Sequence, residues 1–379
     1  MSQHQDARSA GSWRAALREE WFLGVSLATG VGFALAGEPI YAGLSNPLLL
    51  ALVFLWLFGT VVGSALAVVR HADRVAEVLG EPYGTLVLTL SVTAIEVMSI
   101  TAVMLHGANN PTLVRDTLFA IIMIVLGVMV GGSLLMGGWR HREQQYNLQS
   151  ANAYLGVIIP LSVLTLSLPD FTLTTSGPTL SPPQQLFIVV ISVGLYGVFL
   201  AIQTGRHRGY FRFDEPAAER HPHAAPRTPP RLLPHALLLM AYVAPVAFLA
   251  EHIAHPIDYF IETLNAPAPL GGVIIAVMVA TPEALGATRA ALANHLQRSV
   301  NIFLGSVLST IGLTVPVMLA ISYFTAHEVY LGLDPANDLL LVLTLVVSVV
   351  TFASGRTNVL QGAVHVVLFA AFVMLILQG

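Results

Sequence analysis

The sequence predicts an all-α, polytopic membrane protein with about eleven transmembrane helices. Of its 379 residues, 55% are hydrophobic and only 10% are charged, and the mean hydropathy is +0.74, well outside the range of soluble globular chains. Apolar stretches of about 20 residues, the length that spans a bilayer, recur along nearly the whole chain. The absence of cysteine excludes disulfides, thiol catalysis and thiolate metal sites. The composition therefore leaves little room for a large soluble domain.

Eleven apolar runs, each ended by a polar or Pro/Gly cluster, are interpreted as spans. They cover residues 21–42, 46–69, 83–106, 116–138, 150–168, 184–204, 233–254, 270–293, 300–324, 337–354 and 357–378. Residues 1–20 form a polar leader with three arginines, and no small-residue cleavage site clearly follows the first apolar run. We therefore expect that run to remain as an extra N-terminal helix; a cleaved signal peptide is the alternative.

Arginine marks the orientation, because the chain contains no lysine. If the N-terminus is cytoplasmic, sixteen of the seventeen arginines fall on the cytoplasmic side and only Arg115 faces outward, in agreement with the positive-inside rule. A missed or invented helix would scramble this alternation, so it also supports the span count. We expect a multi-pass protein of the bacterial inner membrane with its N-terminus in the cytoplasm and its C-terminus in the periplasm.

A polar stretch, residues 205–232, divides the chain near its middle and contains histidines among arginines and prolines. Apart from the extra helix at 21–42, five spans precede this cytoplasmic loop (46–204) and five follow it (233–379). Because five is odd, two related halves would lie upside down relative to each other, as in inverted-repeat transporters. The predicted fold is thus two inverted five-helix repeats plus one extra N-terminal helix.

Each half carries one glutamate near the middle of its second span, Glu96 in the first half and Glu283 in the second. An acidic side chain at the bilayer centre costs about 2.5–3.5 kcal/mol, so it is retained where it faces the protein interior and usually where it functions. The structural alternative is a protonated glutamate that only bonds a neighbouring helix, and the repetition of the feature in the second half argues against it. We predict that the two glutamates form one site that holds a cation and protons alternately.

Oxygen atoms near the two glutamates are further candidate ligands. Pro282 lacks an N–H, so the helix is predicted to break there and to free the carbonyls of Met278 and Val279 just before Glu283. The supporting set is Ser91, Thr93, Val279, Thr281 and Asn301. Hard oxygen donors of this kind suit Ca²⁺ and Na⁺, although each hydroxyl can equally bond back to its own helix.

Several other polar residues have packing or solvation as the default interpretation, with a role along the ion path as the alternative. They are Ser306 and Ser309 on span nine, Asp116, Thr117 and Ser133 on span four, and Glu251 and His252 at the end of span seven. Glu81 is expected partly to cap a helix start, and His365 is expected to be a hydrogen-bonded core histidine. The loop histidines are interpreted as solvated, with pH sensing or metal binding as the alternative.

A pair of buried glutamates explains exchange by competition. Burial and mutual repulsion disfavour two uncompensated charges, so without a cation the pair should hold protons, which an arriving cation must displace. One divalent ion or two protons keep the site near neutrality, and a near-neutral site moves cheaply between the membrane faces. The transported ions would be Ca²⁺, or Na⁺ and K⁺, and H⁺, and no cofactor is expected.

Residues 80–96 and 280–306 resemble the paired α-repeats of the cation/calcium exchanger superfamily, and are most similar to its bacterial calcium/sodium (and potassium)–proton antiporters. The resemblance implies a ten-helix core of two inverted repeats and places Glu96 and Glu283 at the superfamily's essential acidic positions. The chain departs from the Gly-Asn-Ala-x-Glu pattern of vacuolar calcium exchangers, having threonine at position 93 and Thr-Pro before Glu283. Fewer strong oxygen donors could relax a calcium preference toward sodium or potassium.

Three classes of function compete. The leading hypothesis is a secondary antiporter that exports Ca²⁺ in exchange for H⁺ by alternating access, and the runner-up is a Na⁺ or K⁺ antiporter with little Ca²⁺ activity. A passive cation channel would share the buried carboxylates but has no need of inverted halves. An enzyme is not expected, because the chain lacks a His-Glu-x-x-His motif, a nucleophile elbow, cysteine and a P-loop lysine. Inorganic cations, protons and lipid are the expected partners; the sequence leaves ion choice and a homo-oligomeric state open.

Overall fold

The computed structural model describes residues 20–80, 83–106, 110–175, 177–211 and 232–378. It contains eleven apolar membrane helices, as predicted, and they are named α1 to α11 in chain order. Their bounds are α1 Trp21–Ala42, α2 Pro47–Leu79, α3 Tyr83–Met104, α4 Leu113–His141, α5 Leu148–Phe171, α6 Pro182–Arg206, α7 Leu232–Thr263, α8 Pro269–Leu292, α9 Leu296–Thr325, α10 Pro335–Thr351 and α11 Val359–Gln378. Ten are long enough to cross a membrane, and α10 is a shorter apolar helix of 17 residues. The protein is therefore an all-α polytopic membrane protein.

The predicted helix boundaries are closest for α1, whose two ends agree with the predicted span 21–42. Asn46 and Asp334 accept hydrogen bonds from the first backbone N–H groups of α2 and α10, and a proline follows each cap. The largest error is at the end of α2, which was predicted at residue 69. Polar residues end the apolar run there, but the helix continues to Leu79 because His71, Ala72 and Val75 remain buried against its neighbours.

The first helices of the two halves run antiparallel. Near the end of α2, Nδ1 of His71 lies 3.1 Å from Nδ1 of His235, near the start of α7. At the opposite ends of the same helices, Phe54 packs on Phe260 with ring centroids 5.5 Å apart. The half that begins with α2 and the half that begins with α7 therefore enter the membrane from opposite sides.

One end of the helix bundle, called here the arginine-rich face, gathers most of the arginines in the described part of the chain. It carries Arg70, Arg74, Arg140, Arg289, Arg298 and Arg356. Two short strands, β1 (Gln144–Gln145) and β2 (Arg356–Thr357), pair antiparallel there, and the Gln144 side chain donates a 2.8 Å hydrogen bond to the carbonyl of Ala291. Arg115 lies on the opposite face, where its guanidinium donates to the carbonyl of Gly332.

The centre of the bundle is formed by α4 and α9. Within their apolar segments, 83% and 78% of the residues are buried inside the protein, against 22% for α1. Both helices contain a π-helical segment, Ile124–Met129 in α4 and Thr310–Thr314 in α9. A π-helical segment widens the helix locally and is frequent at functional sites.

Small residues let the central helices approach one another. A Cβ atom on Gly362 of α11 would lie 2.8 Å from the carbonyl oxygen of Gly131 on α4, so the two backbones are in direct contact there. His365 is a hydrogen-bonded core histidine, as predicted: it is fully buried, and its Nε2 lies 2.9 Å from the Thr351 hydroxyl.

Candidate cation and proton site

Glu96 and Glu283 lie near the middle of α3 and α8 and face the interior of the protein. Glu96 is only 2% exposed, and Glu283 lies deep on α8, eleven residues beyond the point where Gly272 meets α4. Both carboxyl groups accept a hydrogen bond from the same helix, α9, at positions four residues apart. The structure thus brings together the acidic residues that the two halves contribute.

Helix α9 supplies a hydroxyl to each glutamate. Thr310 Oγ1 donates a 3.0 Å hydrogen bond to Glu96 Oε2, and Ser306 Oγ donates a short hydrogen bond to Glu283 Oε2. Ser306 and Thr310 are four residues apart, so they project from the same side of the helix. One helix therefore holds the carboxylates of both halves.

Thr310 was not among the predicted site residues, and Ser306 was only a lesser candidate. The spacing Ser306-x-x-x-Thr310 on an apolar span is the signal that could have identified the pair, since it places two hydroxyls on one helical face. Sequence alone could not show that this face points at the glutamates, because the contact depends on how α9 packs between α3 and α8.

Several buried oxygen atoms around Glu96 have no hydrogen-bond partner among the described residues. They are Glu96 Oε1, Thr93 Oγ1 and Thr314 Oγ1, and the Thr314 side chain lies close to the Glu96 carboxyl group. A buried polar atom without a partner costs about 1–3 kcal/mol. A proton or a cation bound between these oxygens would remove that cost, and hard oxygen donors are the ligands that alkali and alkaline-earth cations prefer.

Two of the predicted supporting hydroxyls bond back to their own helices, which was the stated alternative. Ser91 Oγ donates to the carbonyl of Val87 at 2.7 Å, and Thr281 Oγ1 donates to the carbonyl of Val277 at 2.6 Å. Their oxygen lone pairs remain available. Asn301 lies farther toward the arginine-rich face, where its amide donates to the carbonyl of Phe211.

The predicted break at Pro282 is wrong: α8 is continuous from Pro269 to Leu292 with the proline inside it. The ring removes only one backbone donor, and close packing of α8 against α4 and α9 holds the rest of the helix together. Val279 is buried, but its carbonyl belongs to a continuous helix rather than to an unwound segment.

A cavity of about 420 Å³ leads from the arginine-rich face to the second glutamate. Glu283, Ser306 and Asn301 line it, together with Asp73 and Arg298 at the outer end. Glu96 is not among its lining residues. In this conformation the site is thus reached from the arginine-rich face through Glu283, while Glu96 is enclosed by the protein.

Three further predicted residues lie away from this site. Asp116 is on the opposite face in an ion pair with Arg115 at 2.8 Å. Glu251 is exposed, and His252 packs against Phe248, with ring centroids 4.3 Å apart. Glu81, the leader up to residue 19 and loop residues 212–231 with their histidines lie outside the described residues.

No group of three or more His, Asp or Glu side chains that could hold a metal ion occurs within the described parts of the chain. The donors that converge are instead two carboxylates with hydroxyl groups. Such a set can exchange protons for a cation that is bound weakly. Weak binding allows a transported ion to dissociate again.

The family model described as "Sodium/calcium exchanger protein" matches residues 49–205 and 234–378, which together make up most of the chain. Among similar proteins, a putative ionic transporter, y4hA, of Sinorhizobium fredii is 44% identical over 84% of this chain and 86% of its own length. The sodium-potassium/proton antiporter ChaA of Escherichia coli is 40% identical, covering 87% and 90%.

The solved structure of native YfkE shares the fold, with a TM-score of 0.71 at 18% identity over 94% of this chain and 99% of that one. The family model matches in two halves, which agrees with the two related glutamates and with the eleven-helix architecture. The chain belongs to the sodium/calcium exchanger protein family.

Proposed function

We propose that this protein is a secondary active cation/proton antiporter of the bacterial inner membrane, with Glu96 and Glu283 as its exchange site. The observation that carries the proposal is the convergence of two carboxyl groups from opposite halves, both inside the protein, on hydroxyls of a single helix, α9. Two uncompensated charges are costly inside a membrane. The pair must therefore be balanced either by protons or by a cation, and competition between them couples the two fluxes.

The enclosure of Glu96 and the accessibility of Glu283 support alternating access. A cavity that opens at the arginine-rich face reaches Glu283. Under the positive-inside rule this face is cytoplasmic. We propose that the conformation loads its cation from the cytoplasm and that a rearrangement of the two halves exposes it on the other side.

Ca²⁺ is the leading cation, because two carboxylates balance one divalent charge. Na⁺ or K⁺ is the second candidate, supported by the 40% identity to a sodium-potassium/proton antiporter and by hydroxyls in place of stronger ligands around the glutamates. Coordination number and cavity size select between such ions. We propose transport rather than enzymatic catalysis, and coupled proton movement is what separates this function from a passive channel.

Proton movement in everted membrane vesicles tests the proposal. Vesicles from cells that lack their own exchangers are acidified inside by respiration, and Ca²⁺, Na⁺ or K⁺ is then added while a pH-sensitive dye is followed. Proton release at low Ca²⁺ supports the leading hypothesis, and release with Na⁺ or K⁺ alone supports the second. Cation uptake without proton release would favour a channel and contradict the proposal.

A further inference from the structure

The path to Glu283 begins in surroundings that are unfavourable for a cation. A second cavity, of about 780 Å³, lies at the arginine-rich face and shares Asp73, Pro282, Gly286 and Arg298 with the inner cavity. Four arginines line this outer cavity, but only two acidic residues, Asp73 and Glu77, do so among the described residues. A positive mouth repels incoming cations, so a local carboxylate is needed.

Two of the four arginines at this mouth are paired with carboxylates. Arg70 is paired with Glu20 at 2.7 Å, and Arg74 is paired with Glu77 at 3.1 Å. Asp73 is different, because it has no hydrogen bond and no ion pair within 4.0 Å among the described residues. The opposite charge that acts on it most strongly is that of Arg298, through space.

The position of Asp73 is also distinctive. Helix α2 has 33 residues and is about 50 Å long at 1.5 Å per residue, which exceeds the apolar thickness of about 30 Å. Asp73, in the part of α2 that was predicted to lie beyond the span, is half-buried and lines both cavities. It is the unpaired carboxylate, within the described structure, that stands between the outer cavity and Glu283.

We infer that Asp73 forms an entrance subsite that binds the incoming cation and passes it to Glu283, with Arg298 as the opposing charge that keeps this binding weak. The inference rests on the proposed function. A weak first site offsets the positive mouth without trapping the ion, since conduction along a path needs binding that is easily reversed. The subsite would favour divalent over monovalent cations, because the attraction is proportional to the ion's charge.

Asp73→Asn tests the inference through the dependence of exchange rate on cation concentration. We expect the half-saturating concentration to rise about threefold or more for a monovalent ion, and by about the square of that factor for a divalent ion, while the maximal rate stays within about twofold. Glu77→Gln is the matched control on the same helix and in the outer cavity, and it removes the same charge. Because Glu77 is exposed and does not line the inner cavity, this variant should raise the half-saturating concentration less than Asp73→Asn does. Asp73→Glu should restore the parental value.

Arg298→Gln is the second variant, and it should shift the half-saturating concentration downward. A loss of folding cannot produce this opposite change, so the pair of variants remains informative even if Asp73→Asn is poorly expressed. The effects should appear only when the cation is added at the arginine-rich face. Because the chain has no cysteine, Glu143→Cys places a single thiol on the arginine-rich face. Labelling of this thiol by a membrane-impermeant maleimide shows whether that face lies on the outside of the vesicles.

Three results would overturn the subsite while leaving the exchange function intact. They are an unchanged half-saturating concentration in Asp73→Asn, an equal change of that concentration in Glu77→Gln, and equal effects when the cation is added from either face. A parent protein that moves no protons in response to any cation would instead overturn the proposed function, and the subsite with it. The two failures are thus told apart by the parent's activity alone.

Discussion

Gly272 is the point at which α8, the helix that carries Glu283, meets the backbone of α4. A Cβ atom at this position would lie 2.7 Å from the carbonyl carbon of Asp116 and 2.7 Å from the amide nitrogen of Thr117. Non-bonded heavy atoms prefer about 3.5–4.0 Å, and backbone atoms cannot rotate away as a side chain can. Gly272→Ala must therefore push α8 and α4 apart by roughly 1 Å, at a cost of about 1–3 kcal/mol for overpacking.

Gly286→Ala on the same helix is the matched control. Its new methyl group would meet Cδ1 of Ile302 at 3.6 Å, which is ordinary van der Waals contact. Both substitutions gain about 0.8–1.0 kcal/mol of helix propensity, so this contribution cancels when the two variants are compared. The difference in their stability then measures the overpacking at Gly272.

Thermal unfolding of the purified variants in one detergent, followed through the fluorescence of the chain's tryptophans, provides the assay. We expect Gly272→Ala to unfold at a lower temperature than Gly286→Ala, which should match or exceed the parent. Equal unfolding temperatures for the two variants would refute the close backbone approach of α4 and α8.

Two further predictions follow from side-chain contacts. Thr310→Val removes the hydroxyl that bonds Glu96 while keeping the side-chain volume. Because a hydrogen bond to a charged group contributes about 1.5–3 kcal/mol, the half-saturating cation concentration in the vesicle assay should change by about tenfold or more. Ser309→Ala, which removes a hydroxyl that bonds its own helix, should behave as the parent. Equal effects would contradict a role for the Thr310 hydroxyl. Glu20→Ala removes a mostly buried carboxylate that contacts three side chains, and it should lower the stability measured by thermal unfolding by about 1–3 kcal/mol. Glu77→Ala removes a half-exposed carboxylate and should lower the stability by only about 0–1 kcal/mol. The reverse order would be inconsistent with Glu20 anchoring α1.

The sequence was sufficient to predict the eleven helices, because a long apolar run in lipid has to satisfy its backbone within a helix. It also singled out Glu96 and Glu283, since an acidic residue is rare in such a run. The end of α2 could not be predicted in the same way. Polar residues such as His71 stay helical there because of burial against α7, a tertiary contact that hydropathy does not register.

The site's hydroxyl partners were the least predictable part. Most spans have serines or threonines, and whether one reaches a carboxylate or its own backbone depends on helix rotation: Thr310 does the former and Ser91 the latter. The continuity of α8 through Pro282 likewise depends on its neighbours, because packing can hold a helix from which one hydrogen bond has been removed. Asp73 was overlooked since it lay beyond the predicted end of its span.

Cation-dependent proton flux in liposomes that contain only the purified protein tests the central claim most directly. Glu96→Gln and Glu283→Gln each keep the shape of the side chain but remove the charge that a cation or a proton must balance. The account predicts that either substitution alone abolishes exchange for every cation transported by the parent, while Ser309→Ala retains it. Exchange at the parental rate in either glutamine variant would contradict a shared two-glutamate site.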